Sequence, residues 1–153
     1  NAGCAVLNQI FSEIELKELS RQIHPETESE FLLRPLPRKG ERFPIDDPNL
    51  EPLLTPRPVS DSLYLHALLE GLARIEAQGW LRLTELGAPA PSQVITLGGG
   101  ARNPQWRRIR ERILGIPVKT CFKPPAAGVA SLALQAIKKH DVFQKAEEEL
   151  ALD

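Results

Sequence analysis

The stretch VITLGGGARNPQWRRIR, Val94 to Arg110, decides how the rest of the chain is read. An apolar, β-branched run ends in three consecutive glycines, Gly98, Gly99 and Gly100, then restarts as a proline-headed, arginine-rich segment. Gln93 to Leu97, bounded by Pro91 and Gly98, has the composition of a strand. Asn103 in front of Pro104 supplies an N-cap and a first helical residue, so Pro104 to Leu114 reads as a helix. Glycines at the C-terminal edge of a strand let another group approach the backbone without meeting a Cβ. In open α/β sheets that edge is where ligands sit. The unpaired N–H groups and dipole of the next helix favour a phosphate or carboxylate there. Trp106 adds a flat apolar face suited to a planar heterocycle. Asn103 carries a donor and an acceptor for a base edge, provided that capping does not use its oxygen. The residues alone leave a second reading open: a tight strand–helix connection, with Trp106, Ile109 and Ile113 at core spacing. The stretch is not G-x-G-x-x-G and is not followed by Gly-Lys-Ser/Thr, which disfavours a dinucleotide fold and a P-loop.

Working outward, Ile116 to Phe122 is the next strand candidate and Ala126 to Lys138 an alanine-rich helix, with a charged tail helix from about Val142. Strand, helix, strand, helix favours an α/β sheet with helices packed on its faces. Upstream, Ser60 to about Gly79 is the strongest helix. Leu65, Leu68, Leu69, Leu72 and Ile75 form a broad apolar stripe, and Glu70 with Arg74 makes an i,i+4 pair on the outer side. If Gly79 is tolerated, the helix continues through Trp80 and Leu83 to Leu86, where Gly87, Pro89 and Pro91 end it. Gly3 to Ile23 reads as two helices meeting at Ser12, whose spacing to Glu15 matches a capping box, and Pro25 stops the second. Phe31 to Leu36 is a short strand candidate. The next segment, PLPRKGERFPIDDPNLEPLLTPRP, is too polar and too interrupted for regular elements. Loops of about twenty residues in a compact domain tend to be functional or to be covered by a partner.

A chain of 153 residues with 42% apolar and 25% charged residues is an ordinary globular domain with a real core. A net charge of −1 gives no bulk pull toward nucleic acid or anionic membranes. No apolar run approaches the roughly 20 residues that cross a bilayer. Cys4 and Cys121 form no C-x-x-C pair and no metal-like cluster with His24, His66 and His140, so a reducing, cytoplasmic setting is the default. The sequence opens on Asn-Ala-Gly and contains no methionine, from which we expect a piece of a longer polypeptide. Arg107, Arg108, Arg110 and Arg112 read as a solvated helix face rather than a nucleic-acid surface, since Glu111 lies among them. No general base stands out.

The segment LGGGARNPQWRRIRERILGIPV resembles the GGGA-x-N-x-x-W-x-x-x-x-A-D-x-L-G-x-P-V segment of the FGGY carbohydrate kinases. Three more segments agree in order and spacing. GERFPIDDPN resembles that family's G-E-R-x-P-x-x-D-P loop, LHALLEGLA its R/H-A-x-L-E-G-x-A helix, and AAGVASLALQAI its A-A-x-G-A-A-x-L-A-A helix. NAGCAVL is similar to the residues just after the family's glycine-rich phosphate loop. The likeness spans about Asn1 to Ile137 and implies the C-terminal, nucleotide-binding lobe of an actin-like (ribonuclease H-like) ATPase fold, α/β with a mixed sheet and flanking helices, over 1–153. By carry-over, Gly98, Gly99 and Gly100 pass beneath ATP, Asn103 bonds the adenine edge, and Trp106 stacks on or flanks the ring. Leu16 closes the opposite wall, and Gly3 with Asn1 lies near the triphosphate.

The resemblance further implies ATP and Mg2+, the metal held mainly by groups outside these residues, and a sugar bound through an N-terminal lobe that is absent here. Cyanobacterial and plant ribulose or xylulose kinase-like proteins look nearest, so D-ribulose or D-xylulose is the favoured substrate. Pro124 and Pro125 stand where the family often has a Glu, and Glu111 and Arg112 replace an Ala-Asp pair. The family's catalytic Asp belongs to segments upstream of Asn1, so no catalytic residue is assigned and this chain alone is expected to be inactive. The competing reading is a non-catalytic actin-like binding module. A nucleic-acid-binding domain using the arginine face is the third.

Overall fold

The structure, a computed structural model, describes residues 3–43 and 45–150. The chain forms two compact units, Asn1–Thr120 and Cys121–Asp153.

The first unit opens with α1 (Cys4–Leu7) and α2 (Glu13–Ser20); the second starts after Ser12 as the sequence predicts, whereas the first ends five residues before it. The capping box is complete. The Glu15 N–H donates to Ser12 Oγ at 3.3 Å, and the Ser12 N–H donates to Glu15 Oε2 at 2.8 Å. Those bonds from the Ser12 backbone and hydroxyl hold the Glu15 carboxyl below its ordinary pKa. Arg21 caps α2, four residues before Pro25.

The spine of the unit is α3 (Asp61–Glu85), capped by Ser60, whose Oγ accepts the Leu63 N–H. It runs straight through Gly79. Its middle turns, Tyr64 to Ala73, are buried on every side rather than along one stripe. This corrects one expectation. Arg74 Nη2 does meet Glu70 Oε2 at 2.6 Å, but Glu70 is 0% exposed and the pair is not on an outer face. Two glycines explain what covers the helix. A Cβ on Gly71 would lie 2.5 Å from the Leu33 carbonyl oxygen and 2.6 Å from Pro35 Cδ, and one on Gly79 would lie 2.5 Å from Phe43 Cζ. The chain after Phe31 therefore crosses α3 in direct backbone contact. Removing the Cβ is what permits that approach.

Phe31 to Leu36 does not form a strand. Arg34 makes one isolated antiparallel bridge with Leu53, its N–H donating to Leu53 O at 2.8 Å and its carbonyl accepting from the Leu53 N–H at 3.0 Å. Pro35 and Pro37 have no N–H with which to extend the ladder. Leu33 and Leu36 are nonetheless buried. Tyr64 Oη donates to Leu54 O at 2.9 Å and so pins the end of the proline-rich segment to α3.

Strands β1 (Val94–Thr96) and β2 (Val118–Thr120) pair in parallel, Val94 opposite Val118. Both are shorter than the sequence suggests. Parallel neighbours need a long crossover, and here it holds a 3₁₀ turn, Gly99–Arg102, and then α4 (Pro104–Leu114), closed by Gly115 in the left-handed region at φ 68°. The described residues contain this two-stranded parallel sheet in place of the mixed sheet expected. Leu65, Leu68, Leu69 and Leu72 of α3 form the core with Ile109 of α4 and with Leu7, Phe11 and Ile23. Each fully buried leucine or isoleucine contributes roughly 1.5–3 kcal/mol.

The second unit holds α5 (Pro125–Leu150). It is one continuous helix where the sequence suggests two, and the Ala127 N–H donates to the Pro124 carbonyl at its start. No helix among the described residues is long and apolar enough to cross a membrane.

Candidate functional site

The turn after β1 is built on backbone that only glycine tolerates. Gly98 has φ 86° and ψ −167°, a region that costs other residues about 1–3 kcal/mol. Gly99 is different, since it is not among the glycines with positive φ. A Cβ on either residue would meet no protein atom within 4 Å. Gly98 is thus required by the turn, whereas nothing in the fold demands a glycine at 99. The bare edge is open, as the close approach of a ligand to the backbone requires. The Ala101 N–H donates to Gly98 O and the Asn103 N–H to Gly100 O, both at 3.2 Å. Thr120 Oγ1 donates to Ala101 O at 3.1 Å, tying the turn to β2.

Asn103 is the N-cap of α4 as its sequence position predicts. Its Oδ1 accepts the Trp106 N–H at 3.0 Å, and its Nδ2 donates to Ser20 Oγ at 2.7 Å. The condition placed on its base-edge role is therefore not met for the oxygen, which the cap uses, and one amide N–H is also taken. The cap likewise occupies one of the N–H groups that would otherwise face an anion. Ser20 is buried at the end of α2, and Leu16 lies one helical turn before it, on the same face. Leu16 is partly buried and packs against the core. Gly3, with φ 141° and open space at its Cβ position, heads α1, and its carbonyl accepts the Val6 N–H. Asn1 lies outside the described residues. Hydrogen bonds thus bring together Asn103, Trp106 and Ser20.

The indole of Trp106 takes the core-facing position that its spacing to Ile109 and Ile113 predicts. It packs against the core beside Ile113, yet it is only half-buried, while Ile109 is fully inside. Arg110 places its guanidinium 5.6 Å from the Trp106 ring centroid. A cavity of about 260 Å³ lies elsewhere, between the C-terminal half of α3 and the end of α4, lined by Trp80, Leu81, Thr84, Pro91 and Ile113 among others.

The arginines of α4 are not a solvated face. Arg110 is 7% exposed and forks onto Glu76, with Nε to Oε2 at 2.7 Å and Nη2 to Oε1 at 2.8 Å. Arg107 pairs with Glu111 at 2.9 Å, and Glu111 also accepts the Val118 N–H at 3.1 Å. Arg112 donates to the Pro25 and Thr27 carbonyls and to Glu70. Only Arg108 of the four is exposed. Arg107, Arg110 and Arg112 are thus engaged within the fold.

Glu70 is the centre of a buried charge cluster. Arg74 and Arg112 reach it, the Ser29 N–H donates to Oε1 at 3.0 Å, and His66 Nε2 lies 3.3 Å away. Burial pushes the Glu70 carboxyl up, but contact with His66, Arg112 and the Ser29 N–H outweighs it and holds the group down at about 2. The cluster clamps α3, α4 and the loop after α2 together.

Sequence reasoning missed Ser20, Thr120 and Glu76, which fix the cap, the turn and Arg110. Each acts across 19 to 83 residues of chain, and no local spacing signals such a bond. Among the described residues, no group of three or more His, Cys, Asp or Glu is placed to hold a metal ion. A family model described as "FGGY family of carbohydrate kinases, C-terminal domain" matches residues 6–137.

Proposed function

The chain belongs to the FGGY family of carbohydrate kinases, and from that premise we propose that it seats the purine nucleotide of a sugar-phosphorylating enzyme on the turn after β1. Membership carries an actin-like ATPase lobe and a kinase's use of ATP with a divalent metal, and it does not favour a non-catalytic module. The observation that carries the proposal is the glycine at 99, which neither backbone angle nor packing demands, shortly before the cap of a helix that carries a partly buried indole. A nucleotide approaching there meets main chain on one side and Trp106 on another.

In this reading Gly98, Gly99 and Gly100 pass beneath the nucleotide and Trp106 stacks on or flanks the adenine. Asn103 contributes through its remaining amide N–H while capping α4. Leu16 closes the far wall from α2, and Gly3 lies toward the phosphates. Mg2+ is assigned no ligand among these residues. Phosphoryl transfer depends mostly on positioning and charge stabilisation, and we assign this chain only the nucleotide side of that task. The sugar hydroxyl, its base and the choice of D-ribulose or D-xylulose are assigned to an N-terminal lobe beyond these residues. The chain alone is expected to bind ADP without phosphorylating either ketopentose.

The test is Trp106→Ala. Aromatic stacking on a base is worth roughly 1–3 kcal/mol, so the variant should bind Mg-ADP about 5- to 150-fold more weakly by calorimetry. In a Trp80→Phe background, Mg-ADP should also quench or shift the emission of Trp106. Unchanged affinity in the folded Trp106→Ala chain would remove the purine seat.

A further inference from the structure

Trp106 does not stand alone on α4. Arg110, one turn on, lies within cation–π range of the indole at 5.6 Å. Arg110 is itself clamped from α3 by the two-bond fork to Glu76, its side chain 8% exposed. Glu76 accepts a further, longer bond from Trp80 Nε1 at 3.4 Å. A fork of this kind fixes both the plane and the direction of a guanidinium, which a single ammonium contact does not. Side chains on a helix lean toward its N-terminus, so Arg110 reaches back over Trp106 from behind.

Resting on the purine seat proposed above, we infer that Glu76 and Arg110 are positioning residues for nucleotide recognition. Glu76 holds Arg110, Arg110 backs one face of Trp106, and the indole is kept in one rotamer with its other face presented to the purine. A loosely held indole samples several staggered wells, and ordering it on binding weakens affinity. Neither Glu76 nor Arg110 touches the nucleotide in this scheme. A pair that merely clamped α3 to α4 would have the same effect whether or not Trp106 were present, which is where the two roles separate.

The experiment is Mg-ADP titration by calorimetry of the chain, Glu76→Gln, Trp106→Ala and the combination of the two. Ordering one rotamer-rich side chain on binding corresponds to about a three- to tenfold loss, and Glu76→Gln should show it. In the Trp106→Ala background the same substitution should add nothing further. With 5-fluorotryptophan incorporated, the Trp106 resonance, assigned by its absence in Trp106→Ala, should broaden or split in Glu76→Gln. Arg110→Lys guards against a Glu76→Gln chain that does not fold. It keeps the charge pair but loses the fork, and it should show the same three- to tenfold loss. Full affinity in folded Glu76→Gln or Arg110→Lys, or an equal loss with and without Trp106, would overturn the inference while leaving the purine seat intact. Full affinity in Trp106→Ala would overturn the seat itself and this inference with it.

Discussion

Gly99→Ala separates the needs of the fold from the needs of a ligand. Gly99 sits in the 3₁₀ turn without a positive φ, and a Cβ there would meet no protein atom within 4 Å. The folded chain should therefore accept alanine with a stability change inside about 0.5 kcal/mol, or with a gain from the stiffer unfolded chain of about 0.4–1 kcal/mol. A ligand lying against that backbone meets the new methyl instead. Forcing one extra methyl into a fitted contact costs about 1–3 kcal/mol, which is about 5- to 150-fold in affinity. Gly98→Ala is the control, because φ 86° with ψ −167° should lower stability itself by about 1–3 kcal/mol. Urea unfolding reads the first quantity and Mg-ADP calorimetry the second. If Gly99→Ala is folded and binds Mg-ADP as tightly as its parent, the bare edge is not part of the seat and the reasoning from open backbone fails.

Two further perturbations probe the scaffold beneath the site. Gly71→Ala should destabilise by a net of about 1–3 kcal/mol in urea. Its Cβ would press on the Leu33 carbonyl and the Pro35 ring, which cannot swing away, and overpacking outweighs the helix-propensity gain. Gly79→Ala meets only the Phe43 ring, which is 45% exposed and free to turn, so it should be neutral or stabilising by up to about 1 kcal/mol; the reverse order would contradict the described packing. Glu70 has its pKa lowered from 4.5 to about 2. Between those values the unfolded chain binds the extra proton, so its stabilisation is complete above about pH 5 and is lost as pH falls toward 2, to the extent of about 3 kcal/mol. Denaturation midpoints measured from pH 2 to 6 should fall in that window. Glu70→Gln should flatten the profile and lower stability at pH 7 by about 3–5 kcal/mol, because Arg112 and Arg74 lose their buried partner; an unchanged slope in that variant would remove the assignment.

Legibility followed the reach of each interaction. Asn103 and Pro104 declared the start of α4, and Ser12 with Glu15 declared α2, because a cap is closed by atoms three residues away. The twin strands around α4 were visible in their β-branched runs, though their ends were not, since a strand's length depends on its neighbour. Glu70 was misread for a related reason. Spacing to Arg74 reports which side chains share a helix face, not what lies over that face, and here the chain from Ser29 to Pro35 covers it. The arginines of α4 were misread likewise, since Glu76 and Glu70 stand 34 and 42 residues from their partners.

From the order of its amino acids alone, the chain had its caps, its helical periods and the glycine edge with its nearby indole, because those are set by bonds and phases spanning a few residues. Tertiary packing decided which charges are dry, and it alone revealed that Ser20 shares the amide of Asn103. Desolvation and pairing are properties of what arrives from elsewhere in the chain, and a burial of 0% at Glu70 belongs to three segments at once.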